Sequence, residues 1–207
     1  ARRGLPVAFG LCMMVSATAY AAPYTVTDLG ALGLSGDLSF GYGINASGQV
    51  TGNSAVTSGA WIGLRPHAFL YSNGAMTDLG TLGGGGAMSF GHGINDAGQV
   101  VGYSETKANG DSHAFLYSNG TMTDLGTLGG SSSVGFGINN AGHVVGDAMD
   151  GRAFVYTDRM VDLRAAIDSL PPEYAQMQMW ARRINDAGWI LGSFGGSRGQ
   201  ACLLVPR

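Results

Sequence analysis

The sequence predicts an all-β fold, a β-propeller-like ring of four four-stranded antiparallel units. Three short motifs recur in the same order along the 207-residue chain, and turn-forming residues separate the β-prone runs at matching places. The 36 glycines also fall at repeated positions, without the strict three-residue period of collagen. Ordered repetition of this kind indicates an architecture in which each unit buries its apolar face against its neighbours.

The repeated motifs define the units. They read Asp-Leu-Gly, Gly-Ile-Asn-x-x-Gly and His-Ala-Phe, and each has a changed copy in the last part of the chain. The copies begin at Asp28, Asp78, Asp124 and Asp162 for the first motif, at Gly43, Gly93, Gly137 and Arg183 for the second, and at His67, His113, Arg152 and Gln200 for the third. They predict one repeat domain, 22–207, with four units at approximately 24–74, 75–120, 121–158 and 159–207.

Each unit is predicted to contain two β-hairpins. In the second unit, Asn95 and Gly98 bracket a polar turn, because Asn bonds to its own backbone and Gly adopts the positive φ that closes such loops. Asn119-Gly120 between β-prone runs is a strong hairpin signal. Two hairpins give four strands in about 45 residues, which is the size of one propeller blade.

The two ends of the repeat domain suggest how the ring closes. The strand predicted at 24–30 has no His-Ala-Phe strand before it, and the strand predicted at 200–205 has no strand after it. Pairing these two would close the ring and remove two exposed edges. An open β-solenoid, or a ring completed by a second copy of the chain, are the alternatives.

The repeated histidines and aspartates predict a structural latch within each unit. Alignment on the Asn-Gly turn places the first residue of the His-Ala-Phe motif diagonal to the Asp of Asp-Leu-Gly, within reach of a hydrogen bond. The predicted pairs are His67 with Asp78, His113 with Asp124, Arg152 with Asp162, and Gln200 with Asp28 across the closure. Because Arg and Gln replace His, and Arg cannot act as a general base, the pattern favours structure over catalysis.

The sequence predicts no metal and no cofactor. The Asn-Asp turns supply one or two carboxylates each, too few for calcium. The histidines lack the spacing of a zinc site, and His92 occupies a position that holds Tyr42, Phe136 and Arg182 in the other units. The run of four glycines at 83–86 lacks the Gly-Lys-Ser/Thr ending of a phosphate loop.

Two insertions interrupt the repeat and supply candidate binding residues. The segment 55–66 carries Trp61 and Arg65, and the segment 163–180 carries Tyr174 and Trp180. Exposed aromatic side chains on loops of a rigid scaffold are typical contacts for carbohydrates or proteins. The alternative is that the tryptophans fill the ends of the ring, since large aromatic side chains are buried on average.

The first 21 residues are predicted to be a secretory signal peptide, incomplete at its start. Arg2 and Arg3 precede an apolar stretch, and Ala19-Tyr20-Ala21 forms a small-x-small cleavage site. After cleavage Cys202 is the only cysteine, so no intrachain disulfide is expected. The whole chain has a net charge of −3, and loss of the two arginines makes it more acidic. That balance disfavours nucleic acids and anionic membranes as partners.

Several segments resemble the HAF family of extracellular repeat proteins, which takes its name from the His-Ala-Phe motif. The segment HAFLYSNGTMTDLGTLGG at 113–130 and the segment GINDAGQVVG at 93–102 are similar to the family's repeat, and 158–207 is similar to its divergent last repeat. The resemblance covers about 24–207. It implies a secreted or surface-attached bacterial protein with a propeller-like β fold, and it implies no activity.

These observations predict a secreted, non-enzymatic module that binds an extracellular polysaccharide or protein through loops on a rigid β scaffold. A self-assembling structural or matrix component, hence a homo-oligomer, is the first alternative. A glycan-degrading enzyme is the second, and it needs a convergent pair of carboxylates. Glu105 and Glu173, the only glutamates, lie in different units, which disfavours an enzyme.

Overall fold

The structure is a computed structural model that describes residues 24–33, 38–56, 65–107, 110–195 and 199–207. Fifteen β-strands and two short 3₁₀ helices, Leu163–Ala166 and Pro172–Tyr174, lie in this part of the chain. Sheet 1 contains β1 (Ser39–Ile44), β2 (Val50–Ala55), β3 (Pro66–Ser72) and β4 (Ala75–Asp78). Sheet 2 contains β5 (Ser89–Ile94), β6 (Val100–Glu105), β7 (Ser112–Ser118) and β8 (Thr121–Asp124). Sheet 3 contains β9 (Ser133–Ile138), β10 (Val144–Ala148), β11 (Arg152–Tyr156) and β12 (Met160–Asp162). Sheet 4 contains β13 (Met179–Ile184), β14 (Ile190–Phe194) and β15 (Gln200–Leu204).

The predicted all-β fold is confirmed, and so is the division into antiparallel sheets that follow the chain order. Three of the four sheets have the predicted four strands, whereas sheet 4 has three. The register of the outer hairpin is the same in each complete sheet: the Phe of His-Ala-Phe lies opposite the Asp of Asp-Leu-Gly. These pairs are Phe69–Asp78, Phe115–Asp124 and Phe154–Asp162.

Neighbouring sheets pack face to face and share their cores. Phe115 of sheet 2 is fully buried in a cluster with Ala68 and Leu79 of sheet 1. Phe154 of sheet 3 is likewise buried with Val101 and Ala114 of sheet 2. A third cluster joins sheets 3 and 4 in the same way. The hydrophobic core is therefore divided among the interfaces between units, as in other repeat proteins.

A ladder of asparagines links the first strands of successive sheets. The side-chain Nδ2 of each donates to the backbone carbonyl of its counterpart in the next sheet, over 3.0 to 3.1 Å. The rungs run from Asn45 to Asn95, from Asn95 to Asn139, and from Asn139 to Asn185. This asparagine ladder brings the four first strands together, and residues of all four line a common cavity of about 270 Å³.

The row of sheets is open in the described structure, so the predicted closure is not confirmed. Residues 24–30 form no strand, and Tyr24 and Val26 are 97% and 99% exposed. Extensive contacts join sheets 1 and 2, 2 and 3, and 3 and 4, and none of similar extent joins the described strands of sheets 4 and 1. Within the described ranges, no helix has the length and apolar character needed to cross a bilayer.

Candidate binding site: an aromatic row on the inner strands

A β-bulge interrupts the first strand of every sheet at the same position. It lies between Gly41 and Gly43 in sheet 1 and recurs at the matching place in the other three sheets. A bulge inserts one extra residue and redirects its side chain. The inserted residues are Tyr42, His92, Phe136 and Arg182.

The four inserted side chains form a continuous line, which we call the central row. The ring centroids of Tyr42 and His92 are 5.7 Å apart, and those of His92 and Phe136 are 5.3 Å apart. The guanidinium of Arg182 then lies 4.2 Å from the centre of the Phe136 ring, as a cation–π contact. Tyr42 is 51% exposed, so the row is open to solvent at its first member.

A second pair of rings extends the central row. Tyr103 stacks on Phe90 with centroids 4.8 Å apart, and its ring lies 5.7 Å from that of His92. Burial, together with the charges of Tyr42 and Glu105, raises the pKa of Tyr103 above its ordinary value of 10. The phenol therefore keeps its proton at neutral pH and can donate a hydrogen bond.

His92 is uncharged at neutral pH. Burial of the ring, with the positive charges of Arg183 and Arg182 nearby, lowers the pKa of His92 below its ordinary value of 6.5. A neutral imidazole offers one donor and one acceptor nitrogen. The central row therefore combines flat apolar faces with neutral polar groups, and the positive charges near it belong to Arg182 and Arg183.

Asp147 anchors the charged end of the row. Its carboxylate accepts a hydrogen bond from the Ala181 backbone N–H over 2.9 Å and forms an ion pair with Arg182, also over 2.9 Å. Burial raises the pKa of Asp147 to about 6, although the Ala181 N–H and the Arg182 charge act in the opposite direction. Asp147 thus fixes the position of Arg182 over the Phe136 ring.

We predict that Asp147→Asn removes a pH dependence of folding stability. Because the pKa of folded Asp147 lies above its unfolded value of 3.8, the folded chain holds a proton between about pH 4 and pH 6 that the unfolded chain has released. The stability contributed by this group is present below pH 4 and is lost as the pH rises through 6, by on the order of 3 kcal/mol.

Urea unfolding at pH 4 and pH 8 measures this effect. The control is Asp168→Asn, since Asp168 is 71% exposed in its pair with Arg207 and should not change the pH dependence. An unaltered pH dependence in Asp147→Asn would show that another group is responsible.

Three cavities lie along or near the central row. The cavity of about 270 Å³ contacts Tyr42, His92 and Phe136, and a neighbouring cavity of about 300 Å³ is lined by the asparagine ladder with Asp96 and Asp186. A further cavity of about 280 Å³ lies beside Phe136 and Arg182 and is lined by Trp180. Aromatic faces, amides and carboxylates are therefore presented along one continuous surface.

The four binding residues predicted from the insertions are not gathered in one place. Trp180 lies beside the central row, whereas Trp61 falls outside the described residues. Arg65 lies 3.9 Å from the carboxylate of Glu105. Tyr174 stacks on Phe194 at 5.0 Å, and its hydroxyl donates to the Gln200 side chain over 2.8 Å. Tyr174 thus packs the insertion against sheet 4.

The predicted latch hydrogen bond is present in sheets 1 and 2, and the third predicted pair is only a longer ion pair. Nδ1 of His67 lies 2.9 Å from the Asp78 carboxylate, and Nδ1 of His113 lies 2.8 Å from the Asp124 carboxylate. In the third unit Arg152 is 3.8 Å from Asp162 and pairs more closely with Asp150.

Asp78 shows the electrostatic effect of the latch. Its burial raises the pKa, but hydrogen bonds from His67 and the Gly80 N–H, with the His67 charge, outweigh burial and lower the pKa below 3.8. The predicted fourth pair is not formed: Asp28 accepts from the Gly30 N–H instead, and Gln200 accepts from Tyr174.

Two carboxylates come together in the described part of the chain, since Asp96 and Asp186 both accept from the Asn140 side-chain Nδ2, over 3.0 and 2.9 Å. No cluster of three His, Cys, Asp or Glu side chains able to hold a metal ion occurs there. Glu105 is buried, and its carboxylate accepts from the Met88 backbone N–H over 3.0 Å.

Sequence reasoning missed the central row because its members differ in chemistry. The signal was the pattern Gly-x-Gly before Ile-Asn, which holds one large side chain between two glycines in the first three units. The glycines matter because a Cβ at Gly93 would lie 3.0 Å from the Phe136 carbonyl oxygen. In the first three units glycine at these positions lets neighbouring inner strands approach closely.

No protein-family model matches the chain, and no curated protein matches it. The resemblance to the HAF family therefore stays a prediction.

Proposed function

We propose that this chain is a secreted, non-enzymatic module that binds an extracellular polysaccharide along the central row. The observation that carries the proposal is the line formed by Tyr42, His92 and Phe136, which ends in Arg182. Sugar rings have apolar C–H faces that pack on aromatic rings, and hydroxyl rims that bond to polar side chains. The row offers both kinds of surface.

A polysaccharide suits this surface better than a compact ligand. The row extends over four units, a cavity lined by the asparagine ladder of all four units lies near it, and a further cavity beside Arg182 is lined by Trp180. A chain of repeating sugars can occupy such a series of similar positions in successive units. The proposed architecture is an arc of a β-propeller-like ring, with the central row on its inner strands.

The experiment is binding of the purified chain to a panel of soluble neutral and acidic polysaccharides, measured by titration calorimetry. We expect at least one ligand, and we expect Phe136→Ala and Tyr42→Ala each to weaken its binding by about tenfold or more, which is about 1.4 kcal/mol. Trp189→Ala is the matched control, since Trp189 is an exposed aromatic residue (43%) outside the row.

Circular dichroism of each variant verifies the fold. Binding that survives both row substitutions would remove the central row as the site. If the chain binds none of the polysaccharides but binds an extracellular protein, the proposed ligand class is wrong and the partner is a protein.

A further inference from the structure

We propose that a second copy of the chain completes sheet 4, with its residues 25–28 pairing as a fourth strand on the free edge of β15. This inference goes beyond polysaccharide binding and does not involve the central row. It rests on three observations in the described structure. The edge of β15 is free, residues 25–28 resemble the fourth strands of the complete sheets in sequence, and the outer faces of sheets 1 and 4 are uncovered.

The edge of β15 lacks a partner that its counterparts have. The corresponding strands β3, β7 and β11 each pair on both sides, whereas among the described strands β15 pairs with β14 alone. Two adjoining cavities, of about 330 and 180 Å³, lie along β15, and both are lined by Leu203 and Leu204. An exposed strand edge is a template for another strand.

The segment that fits this edge is already in the required turn conformation. Asp28 accepts from the Gly30 N–H over 2.9 Å and Gly30 has φ 75°, as Asp78 and Gly80 do at 2.7 Å and 74°. The hydroxyl of Ser39 donates to the Gly30 carbonyl over 2.6 Å, which repeats the bond from Ser89 to Gly80. Residues 25–28, however, pair with none of the described strands.

Ser39 also supplies a preformed acceptor. In sheets 1 and 2 the backbone N–H of Ala68 and of Ala114 donates to the equivalent serine, Ser89 or Ser133, over 2.8 Å. The counterpart of these alanines in sheet 4 is Ala201, by the register of β14 and β15. An incoming Ser39 hydroxyl would complete this bond.

The outer faces of sheets 1 and 4, at the two ends of the row of sheets, are uncovered apolar surfaces. Leu191 of sheet 4 is 48% exposed, although its counterparts Val101 and Val145 in sheets 2 and 3 are fully buried by the next sheet. At the other end Ile44 of sheet 1 is 72% exposed, whereas its counterpart Ile138 is 9% exposed. Sheet 1 of a second copy would cover sheet 4 as sheet 2 covers sheet 1.

A second copy fits these surfaces better than the chain's own first segment. That segment is held against sheet 1, where the Leu32 N–H donates to the Ser54 hydroxyl over 2.9 Å. Sheet 4 lies at the far end of the row, and both end faces are open to solvent. The two faces differ, so the contact is head to tail. Two chains supply eight units, within the range of known propellers.

The register of the complete sheets predicts which residues meet. Phe69 lies opposite Asp78, and the Leu79 N–H donates to the Ala68 carbonyl, which makes Phe69 and Asp78 a non-hydrogen-bonded pair. In sheet 4 the counterpart of Phe69 is Cys202, opposite Gly192. Asp28 of the second copy is therefore expected opposite Cys202, with Cα atoms about 4.5 Å apart, a separation that a disulfide can span.

The experiment is oxidation of Asp28→Cys in a Cys12→Ser background, where Cys202 is the only other thiol. We expect a disulfide that joins two chains, seen as a band of twice the mass or more on a non-reducing denaturing gel. Thr27→Cys in the same background is the matched control, because its side chain would point to the opposite face and should not form the disulfide. A band of single mass with both thiols consumed would show that the chain closes on itself. Free thiols in Asp28→Cys would show that the strands do not meet, and either result overturns the proposal.

Thr27→Pro tests the same contact without a cysteine. Proline removes the N–H that Thr27 would donate to β15, but residues 24–28 are exposed in the single chain, so its thermal midpoint should not change. We expect light scattering to give a mass of two or more chains for the unaltered protein and of one chain for the variant. Equal masses for the two proteins would contradict the proposed pairing of residues 25–28 with β15 of a second copy.

Discussion

Gly102→Ala is expected to destabilise the fold by about 3 kcal/mol and to lower the thermal midpoint by roughly 6–12 °C. Gly102 lies in β6 opposite Gly91, beside the bulge of β5. A Cβ at this position would overlap the Phe90 carbonyl oxygen and lie 3.1 Å from the Gly91 Cα. Because both atoms belong to the backbone, no side-chain rotation can relieve the overlap.

Gly85→Ala is the matched control for this substitution. A Cβ at Gly85 meets no atom within 4 Å, and the residue does not have a positive φ. Its midpoint should stay close to that of the unaltered protein. Calorimetry of both variants decides the question, and a small effect of Gly102→Ala would mean that the bulge can move away from the central row at little cost.

Asn95→Ala is expected to cost about 2–4 kcal/mol, since it leaves buried backbone groups without partners. Asn95 is 4% exposed, and its Nδ2 donates to the Asn139 carbonyl while its Oδ1 accepts from the Gln99 N–H. Its removal breaks the bond between sheets 2 and 3 and the turn within sheet 2 together. The free energy of unfolding in urea measures the loss.

Asn185→Ala is the matched control at the end of the asparagine ladder. Asn185 is exposed and closes its own turn by accepting from the Trp189 N–H, and it lies in the last of the described sheets. We expect a cost of about 1 kcal/mol. Both variants are measured with Thr27→Pro, which keeps chains apart. Equal costs for Asn95 and Asn185 would show that the contact between sheets contributes nothing.

The sequence was sufficient for the strands of the three complete sheets, their hairpins and their register, whereas the strand predicted at 24–30 is not formed. Turn residues such as Asn119-Gly120 act locally, so the pairing of Phe115 with Asp124 could be predicted from the number of residues on either side of the turn. Closure could not be predicted in the same way. It depends on the angle between successive sheets, which the cores around Phe115 and Phe154 determine and which no short motif encodes.

The candidate site was harder to predict than the fold. Trp180 was found from its insertion, and it lies beside the row. The central row itself arises only when four bulges in separate sheets are aligned by the asparagine ladder, so its members are neighbours in space across gaps of more than 40 residues. A comparison of the units position by position shows only that the residue type differs among Tyr42, His92 and Phe136, although together these side chains form one surface.

The asparagine ladder also bears on how such a chain can lengthen. Each rung joins a residue to its own counterpart, as the bond from Asp96 N–H to the Asn140 side chain also does. Each unit therefore presents the donors of these hydrogen bonds on one face and the acceptors on the other. Duplication or deletion of one whole unit preserves the asparagine ladder without compensating substitutions, so the number of units in this architecture can change in a single genetic step.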